Sequence, residues 1–260
     1  LVSTDLTISS FVPETLLEET MYYWYVEATD PDENSTLGPL WSFTTSTGGT
    51  GTVTDIDGNV YQTIMIGAQE WIMENLKVTH YRNGDAIPHI TGNGVWISTN
   101  SGAYCVYDDD PSNAETYGNL YNWYAVDDPR GIAPEGWHVP TDEEIMELEM
   151  YLGMSASQAS STGWRGTNEG SKLAGNADLW NDGALEENSE FGSSGFSLLP
   201  GGNRTSLNGA FTNLSFYGNF WSSTEDNSNA WFRGLTYNYT TDYRYYISKR
   251  YGVPVRCVRD

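Results

Sequence analysis

Positive charge is scarce in this chain. Twelve Lys and Arg stand against 35 Asp and Glu, for a formal net charge of −23. A phosphate backbone or an anionic membrane surface would be repelled, so nucleic acid is excluded as a partner. Charged residues of both signs make up only 18% of the chain, too few for a helical bundle of Ala, Leu, Glu and Lys. No apolar run approaches the length of a membrane-crossing helix, and no membrane span is expected. Histidine is rare as well: His80, His89 and His138 are scattered without zinc-ligand spacing. An initiator methionine is missing, and "LVSTDLTISS" reads like the interior of a domain. The chain is therefore read as a mature or truncated piece that has lost its targeting segment and upstream domains.

What is abundant is aromatic and glycine. With 260 residues, 14% aromatics, 27 glycines and 10 tryptophans, the composition calls for a loop-rich fold held by aromatic packing. One large domain or two smaller ones would bury a sizeable core. The two cysteines, Cys105 and Cys257, are either two buried thiols or a disulfide. A disulfide would close a loop of about 150 residues and contribute about 4–5 kcal/mol in a chain-entropy account. In a secreted protein the disulfide is the expected outcome.

Residues 1–45 alternate like β-structure: in "TMYYWYVEATD", Tyr22, Trp24 and Val26 share one face. "PDENSTLGP" is a turn-rich connector and "LWSFTT" a short strand. "YYWYVEATD" followed by "GPLWSFTT" resembles the C-terminal part of a fibronectin type III-like β-sandwich. Half a sandwich cannot bury its own face, so the rest must come from upstream domains or from a neighbouring copy by strand complementation. "STGGTGT", residues 46–52, reads as a linker.

From residue 53 to 260 an α+β domain with few helices and many loops is expected. A Gly turn at Asp57-Gly58-Asn59 leads into a strand alternating through Val60, Gln62, Ile64 and Ile66. In "PTDEEIMELEMYLG" Thr141 and Glu144 form a capping box, Ile145, Leu148 and Leu152 recur at helical spacing, and Gly153 stops the helix. A short helix is read at "EGSKLAG". In order along the chain come "DIDGNVYQTIMIGAQEWIMENL", "YGNLYNWYAV", "PEGWHVPTDEEIMELEMYLG", "SGFSLLPGGNR", "FWSSTE" and "VPVRCVRD". Together these resemble the Fibrobacter succinogenes major paralogous domain, a family of bacterial surface and secreted modules. That family is related in pattern to the formylglycine-generating sulfatase-modifying domains. The resemblance implies a C-type lectin-like fold and an extracellular or cell-surface location. Where many relatives have Cys-Pro before "GWH", this chain has Ala133-Pro134, leaving Cys105 with Cys257 as the one intramolecular pairing.

Oxidase chemistry of the sulfatase-modifying kind needs a reactive cysteine pair. Cys257 shares an inward period-two face with Val253 and Val255 and reads as inert. His138, ahead of the helix cap, reads as a seat for that helix. "WND", Trp180 to Asp182, lacks the partner tripeptide of the calcium-dependent sugar-binding lectins. The acidic loops "YDDDPSNAE" and "VDDPRG" suit calcium, with Asp108, Asp109, Asp110, Asp127 and Asp128 as candidate ligands. No cofactor is otherwise required.

The last stretch differs from everything before it. Residues 233–260 hold six basic groups against Asp242 and Asp260, a local charge of +4 in a chain whose first 232 residues carry −27. "LTYNYTTDYRYYIS" is rich in Tyr, Asn, Thr and Arg, the mixture recognition surfaces favour. If it turns at Thr240 to Asp242, Trp231, Tyr237, Tyr239, Tyr243, Arg244, Tyr245 and Tyr246 become candidate ligand contacts on a basic aromatic face. The resemblance adds that C-terminal loops form the ligand face in such modules, and that diversity-generating retroelements rewrite codons there. The expectation is a non-enzymatic adhesion module for a polysaccharide or surface protein, with a diversified binding region. The alternatives are a structural subunit or cap of a surface filament and, further off, a sulfatase-modifying-like oxidase.

Overall fold

The computed structural model describes residues 21–29, 34–44 and 51–260. The chain divides into two compact units, Leu1–Gly49 and Thr50–Asp260. The linker read at 46–52 falls mostly outside the described residues, as does the segment ahead of residue 21.

In the first unit β1 (Met21–Trp24), β2 (Glu27–Thr29), β3 (Ser35–Leu37) and β4 (Trp41–Thr44) form an interrupted antiparallel hairpin. Trp24 lies opposite Trp41 and the two rings stack at 4.5 Å. Tyr23, Trp24, Tyr25, Val26, Leu37, Leu40 and Trp41 all stay exposed, because among the described residues the two-stranded ribbon has no second layer to cover its apolar side chains.

The second unit opens with a meander of β5 (Thr52–Thr54), β6 (Val60–Ile66) and β7 (Gln69–Ile72). Its middle consists of short pieces: α1 (Asn93–Ser98), β8 (Tyr104–Cys105), α2 (Pro111–Tyr117), β9 (Leu120–Tyr121), α3 (Trp123–Val126), β10 (Trp137–His138), α4 (Asp142–Tyr151), α5 (Ala156–Ser160), β11 (Gly163–Arg165), α6 (Glu169–Leu173) and α7 (Ala184–Glu187). Strands close it: β12 (Gly201–Arg204), β13 (Phe211–Leu214), β14 (Tyr217–Asp226), β15 (Asn229–Thr236), β16 (Asp242–Ser248) and β17 (Val258–Arg259). A five-stranded sheet runs in the order β10-β17-β7-β6-β5 and a four-stranded sheet in the order β11-β16-β15-β14, beside the small pairs β12-β13 and β8-β9. The architecture is thus mixed helix and sheet. Among the described residues no helix is long and apolar enough to cross a membrane.

Local chemistry explains the best-formed elements. Thr141 Oγ1 accepts from the Glu144 N–H at 3.2 Å and Glu144 accepts from the Thr141 N–H at 2.8 Å, so both partners of the capping box at α4 are in place. At the 55–59 turn the Asp55 N–H donates to Asn59 O at 3.0 Å while Gly58 adopts φ +85°, a left-handed conformation that suits glycine. The strand that follows turns Tyr61 and Thr63 inward and leaves Val60 exposed. Tyr61 donates its hydroxyl to Asp55 at 2.6 Å, and burying the larger, hydrogen-bonded ring decides the face.

Aromatic residues dominate the core. One cluster gathers Tyr61, Tyr121, Trp123, Trp137, Trp221, Val253 and Val255; a second gathers Trp71, Ile145, Leu148, Trp180, Phe196 and Phe220. Buried indoles find carbonyl acceptors: Trp123 donates to Ser222 O at 2.9 Å and Trp221 to Tyr121 O at 2.9 Å. The expected disulfide is corrected here. Both cysteines are free and buried, Cys257 in the first cluster and Cys105 in a third with Trp96, Tyr107 and Leu120. Each sulfur fills a gap in a separate core, and bonding them would pull one out of its cluster. Burial pushes both thiols up, Cys105 to about 12.

Candidate recognition face

The Tyr-rich segment forms a hairpin, but it turns over residues 237–241 and not at Thr240 to Asp242, so Tyr237 and Tyr239 lie in the loop and Asp242 opens the returning strand. Trp231, Phe232, Arg233 and Gly234 of β15 face Tyr246, Tyr245, Arg244 and Tyr243 of β16. On the other side of β16, Gly163, Trp164 and Arg165 of β11 face Arg244, Tyr243 and Asp242. Because side chains alternate along a strand, one face collects Trp164, Phe232, Tyr243 and Tyr245. The opposite face collects Trp231, Arg165, Arg233, Asp242, Arg244 and Tyr246.

The charged half of that second face is buried under α4. Arg233 and Arg244 are direct cross-strand neighbours, an arrangement that like charges resist. Asp142 reconciles them: Arg233 donates to its Oδ1 at 2.7 Å, and Arg244 Nε donates to the same oxygen at 3.0 Å. Seven residues along the same helix face, Glu149 Oε1 accepts from Arg165 at 2.8 Å and from Arg233 Nε at 2.5 Å. Burial raises the Asp142 carboxyl, but the Arg244 hydrogen bonds and the Arg233 charge outweigh it and hold the group below the usual aspartate range. Asp242 has the opposite environment. Arg165 approaches it only to 3.7 Å, and neither Asp242 oxygen nor Glu149 Oε2 has a hydrogen-bond partner among the described residues. Burial first, then the charge of Glu149, drives Asp242 well above the ordinary range.

Arg244 thus moves from the list of ligand contacts to the interior. It is 7% exposed, with Asp142 on one side, Ser160 O accepting from it at 2.9 Å, and the Trp231 ring beneath its guanidinium at 3.9 Å. The basic character of the segment does not reach the surface there. Arg233 is also buried, and Arg256 donates to Asn75 Oδ1 and to the carbonyls of Phe196 and Ser197.

The aromatic residues do reach the surface, in a continuous row. Tyr239 meets Trp164 at 4.9 Å, Trp164 meets Tyr243 at 4.7 Å, Tyr243 stacks on Tyr245 at 5.7 Å, and Tyr245 stacks on Tyr246 at 4.6 Å. Tyr239, Trp164 and Tyr245 are 48%, 39% and 38% exposed. Tyr243 is half-buried, with its inner side against Phe232 at 6.0 Å. β11 pairs with β16 only as far as Arg244, which leaves a strand edge around which Tyr245 and Tyr246 stack. Trp231 meets Tyr246 edge-on at 5.4 Å and supports the row from behind. Tyr237 leaves the row: its ring packs edge-on against Phe216 at 5.4 Å.

The loop between the strands is held by its backbone. Leu185 N–H donates to Tyr237 O at 2.9 Å, Ser171 N–H to Thr240 O at 3.1 Å, and Tyr237 N–H to Phe216 O at 3.1 Å. Gly183 and Gly170 make this docking fit, since a Cβ on either would strike the carbonyl oxygen of Tyr237 or Thr241. The side chains of Asn238 and Tyr239 are left outside.

A family model for the Fibrobacter succinogenes major domain (Fib_succ_major) matches residues 64–259. The chain belongs to this family. No curated protein and no solved structure matches it. In this member of the Fibrobacter succinogenes major domain family the matched span includes all of α4, β11, β15 and β16, and hence both the ionic layer and the aromatic row.

The other candidate residues lie elsewhere. Asp110 caps α2 by accepting from Ser112 N–H at 3.0 Å, and Asp128 is held by Arg130 at 2.8 Å. Asp108 and Asp109 sit in a positive-φ turn before α2, and Asp127 caps the end of α3. Among the described residues no three His, Cys, Asp or Glu side chains converge to hold a metal ion. His138 bonds Glu144 at 2.8 Å and Asp260 at 2.7 Å, tying the chain end to the start of α4. His80 pairs with Asp57 at 2.6 Å, His89 stacks on Tyr104 at 4.8 Å, and Trp180 of "WND" donates to Gly175 O at 3.1 Å. Sequence reasoning missed Trp164, which is distant in the chain, and the two acids of α4. One signal for the acids was present: Asp142, Ile145 and Glu149 share a helix face that Ile145 marks as inward.

Proposed function

We propose that this chain is a non-enzymatic recognition module, displayed on or secreted from a bacterial cell, that adheres to a polysaccharide or surface protein through the row Tyr239–Trp164–Tyr243–Tyr245–Tyr246. The observation that carries this reading is the exposure of a continuous row of ring contacts on strands held from beneath by buried ion pairs. Rigid aromatic side chains on a fixed scaffold offer large contact area at little entropic cost. Backbone anchoring of the 237–241 loop leaves its outer side chains exchangeable, which supports a diversified binding region. The two buried, protonated thiols support the non-enzymatic reading, since an oxidase would need a thiolate. The finer fold assignments belong to the same proposal. A C-type lectin-like second unit is supported by the family membership, and a fibronectin type III-like first unit by its paired β1 and β4.

The test is binding of the full chain to a panel of polysaccharides and bacterial envelopes, beside a Tyr239→Ala/Tyr245→Ala variant with unchanged far-UV circular dichroism and cooperative unfolding. Loss of binding in the folded variant is expected; equal binding would sink the reading. Loss of binding in EDTA would bring calcium into the site.

A second reading has its own observation. The hairpin of the first unit exposes Tyr23, Trp24, Tyr25, Val26, Leu37, Leu40 and Trp41, a surface that a donated strand would cover, as in a filament subunit. Assembly that grows with concentration in light scattering, and is abolished by Trp24→Ser/Trp41→Ser, is its expected signature.

A further inference from the structure

We propose that the aromatic row grips an uncharged polysaccharide along the interior of its chain, and does not recognise a charged glycan or a chain end. This rests on the recognition reading above and narrows its ligand to one chemical class.

Charge is the first argument. The sequence places six cations in the last 28 residues, but the fold pairs or buries five of them. Arg233 and Arg244 are buried against Asp142 and Glu149, and Arg256 is buried among carbonyls. Lys249 pairs with Glu225 at 2.6 Å and Arg259 with Glu70 at 2.6 Å. Arg250 is turned to Asn100 Oδ1 at 3.1 Å. A uronate or sulfate group bound at the row would lose its hydration without gaining a charge-assisted hydrogen bond. At longer range the net charge of −23 repels any polyanion. An uncharged chain meets neither penalty.

Shape is the second argument. Consecutive ring centroids from Tyr239 to Tyr246 lie 4.9, 4.7, 5.7 and 4.6 Å apart, a pitch comparable with the repeat of a pyranose chain. In the Tyr243–Tyr245–Tyr246 stack the ring faces are turned to one another, so successive sugars meet ring edges and phenol hydroxyls at that spacing, where the positive ring edge attracts hydroxyl oxygens. Recognition of a chain end needs an enclosing pocket. Two clefts, of about 200 and about 340 Å³, lie elsewhere, lined by residues such as Glu74, Glu115 and Ser197 in one and Asn100, Tyr124 and Asp127 in the other, while Tyr239, Trp164 and Tyr245 stand open to solvent. Protein hot spots likewise favour closed, fully desolvated pockets. The open row suits a ligand with repeating contacts instead. Asn238 and Thr241 at its end supply amide and hydroxyl partners of the kind a neutral sugar uses.

The experiment is calorimetric titration of the full chain with gluco-, manno- and xylo-oligosaccharides of two to six units, with polygalacturonate and a bacterial envelope protein extract as further arms. Affinity for at least one neutral series should rise about tenfold from dimer to hexamer. It should change less than about twofold between about 50 and about 500 mM salt. Trp164→Ala, in the middle of the row, should erase the length dependence, and Trp164→Phe should restore most of it. Equal affinity for dimer and hexamer would overturn interior binding. Salt-sensitive binding to polygalacturonate that Tyr239→Ala/Tyr245→Ala removes would overturn the uncharged class and leave the recognition face standing. Binding confined to the envelope protein would overturn the polysaccharide. Binding in no arm would sink the recognition reading itself.

Discussion

The two faces of β16 are made from alternate residues of one seven-residue strand, yet they behave as different materials. Asp242 and Arg244 point into a layer of six buried ionisable groups, with Asp142, Glu149, Arg165 and Arg233. Tyr243 and Tyr245 lie on the other face, where Tyr243 packs its inner side on Phe232 of the first core cluster and Tyr245 reaches solvent. The lesson is a division of labour: the ionic face fixes where the strand runs, which leaves the outer rings, Tyr239, Trp164 and Tyr245, largely free of structural duty. A buried ion pair does not by itself guarantee stability, but breaking one is costly because the surviving charge has no water to turn to.

The sharpest way to break the comparison is to remove Asp142, which reconciles two arginines. Asp142→Ala should destabilise the fold by about 3–5 kcal/mol, or about 10 °C in Tm for a chain of this size, as read by urea and thermal unfolding. A loss under about 1 kcal/mol would mean that the layer does not hold the hairpin.

Next in size are the seats of the loop. Gly170→Ala or Gly183→Ala should cost about 1–3 kcal/mol, since a loop carbonyl must move to admit the new methyl group. Ligand affinity should fall with stability, because the carbonyls that collide belong to Thr241 and Tyr237.

Asp242 sharpens the comparison through pH. Its carboxyl is raised in the fold, so above about pH 4 the folded chain keeps a proton that the unfolded chain has released. That contribution is fully present below the unfolded value and is lost as pH rises toward the folded one, at up to about 1.4 kcal/mol per pH unit. Asp242→Asn offers Glu149 an N–H donor and has no proton to lose. Urea titrations from about pH 5 to about pH 9 should show a flatter profile for this variant, and greater stability than wild type at the alkaline end. A variant profile parallel to wild type would place the proton elsewhere.

The smallest stability effect is expected on the aromatic face. Tyr239→Ala/Tyr245→Ala should change unfolding free energy by less than about 1 kcal/mol while abolishing binding. A large loss of stability would show that the row is core after all.

Much of the framework was legible in the residues. The capping box at Thr141 and Glu144, the Gly58 turn and the hairpin through the tyrosines are local features, written in spacings of a few residues. The family could be read from long motifs in order, and the match over 64–259 bears it out. Three readings went astray for one reason. The cysteine pairing, the role of Arg244 and the basic character of the closing segment all depended on partners far away in the chain: the clusters around Trp96 and Trp137, Asp142 102 residues from Arg244, and Phe196 60 residues from Arg256.

Alternation and composition alone therefore determined that this chain would end in a β-hairpin carrying tyrosines on a loop-rich α+β domain, because strand period and turn chemistry act over neighbouring residues. Only the tertiary structure decided which side of that hairpin met water. The deciding pairs are Asp142 with Arg233 and Arg244, and Trp164 with Tyr239 and Tyr243. Their members come together only when α4 and β11 pack onto the closing strands, and a one-dimensional count of charge cannot tell a surface cation from one already spent on a buried acid.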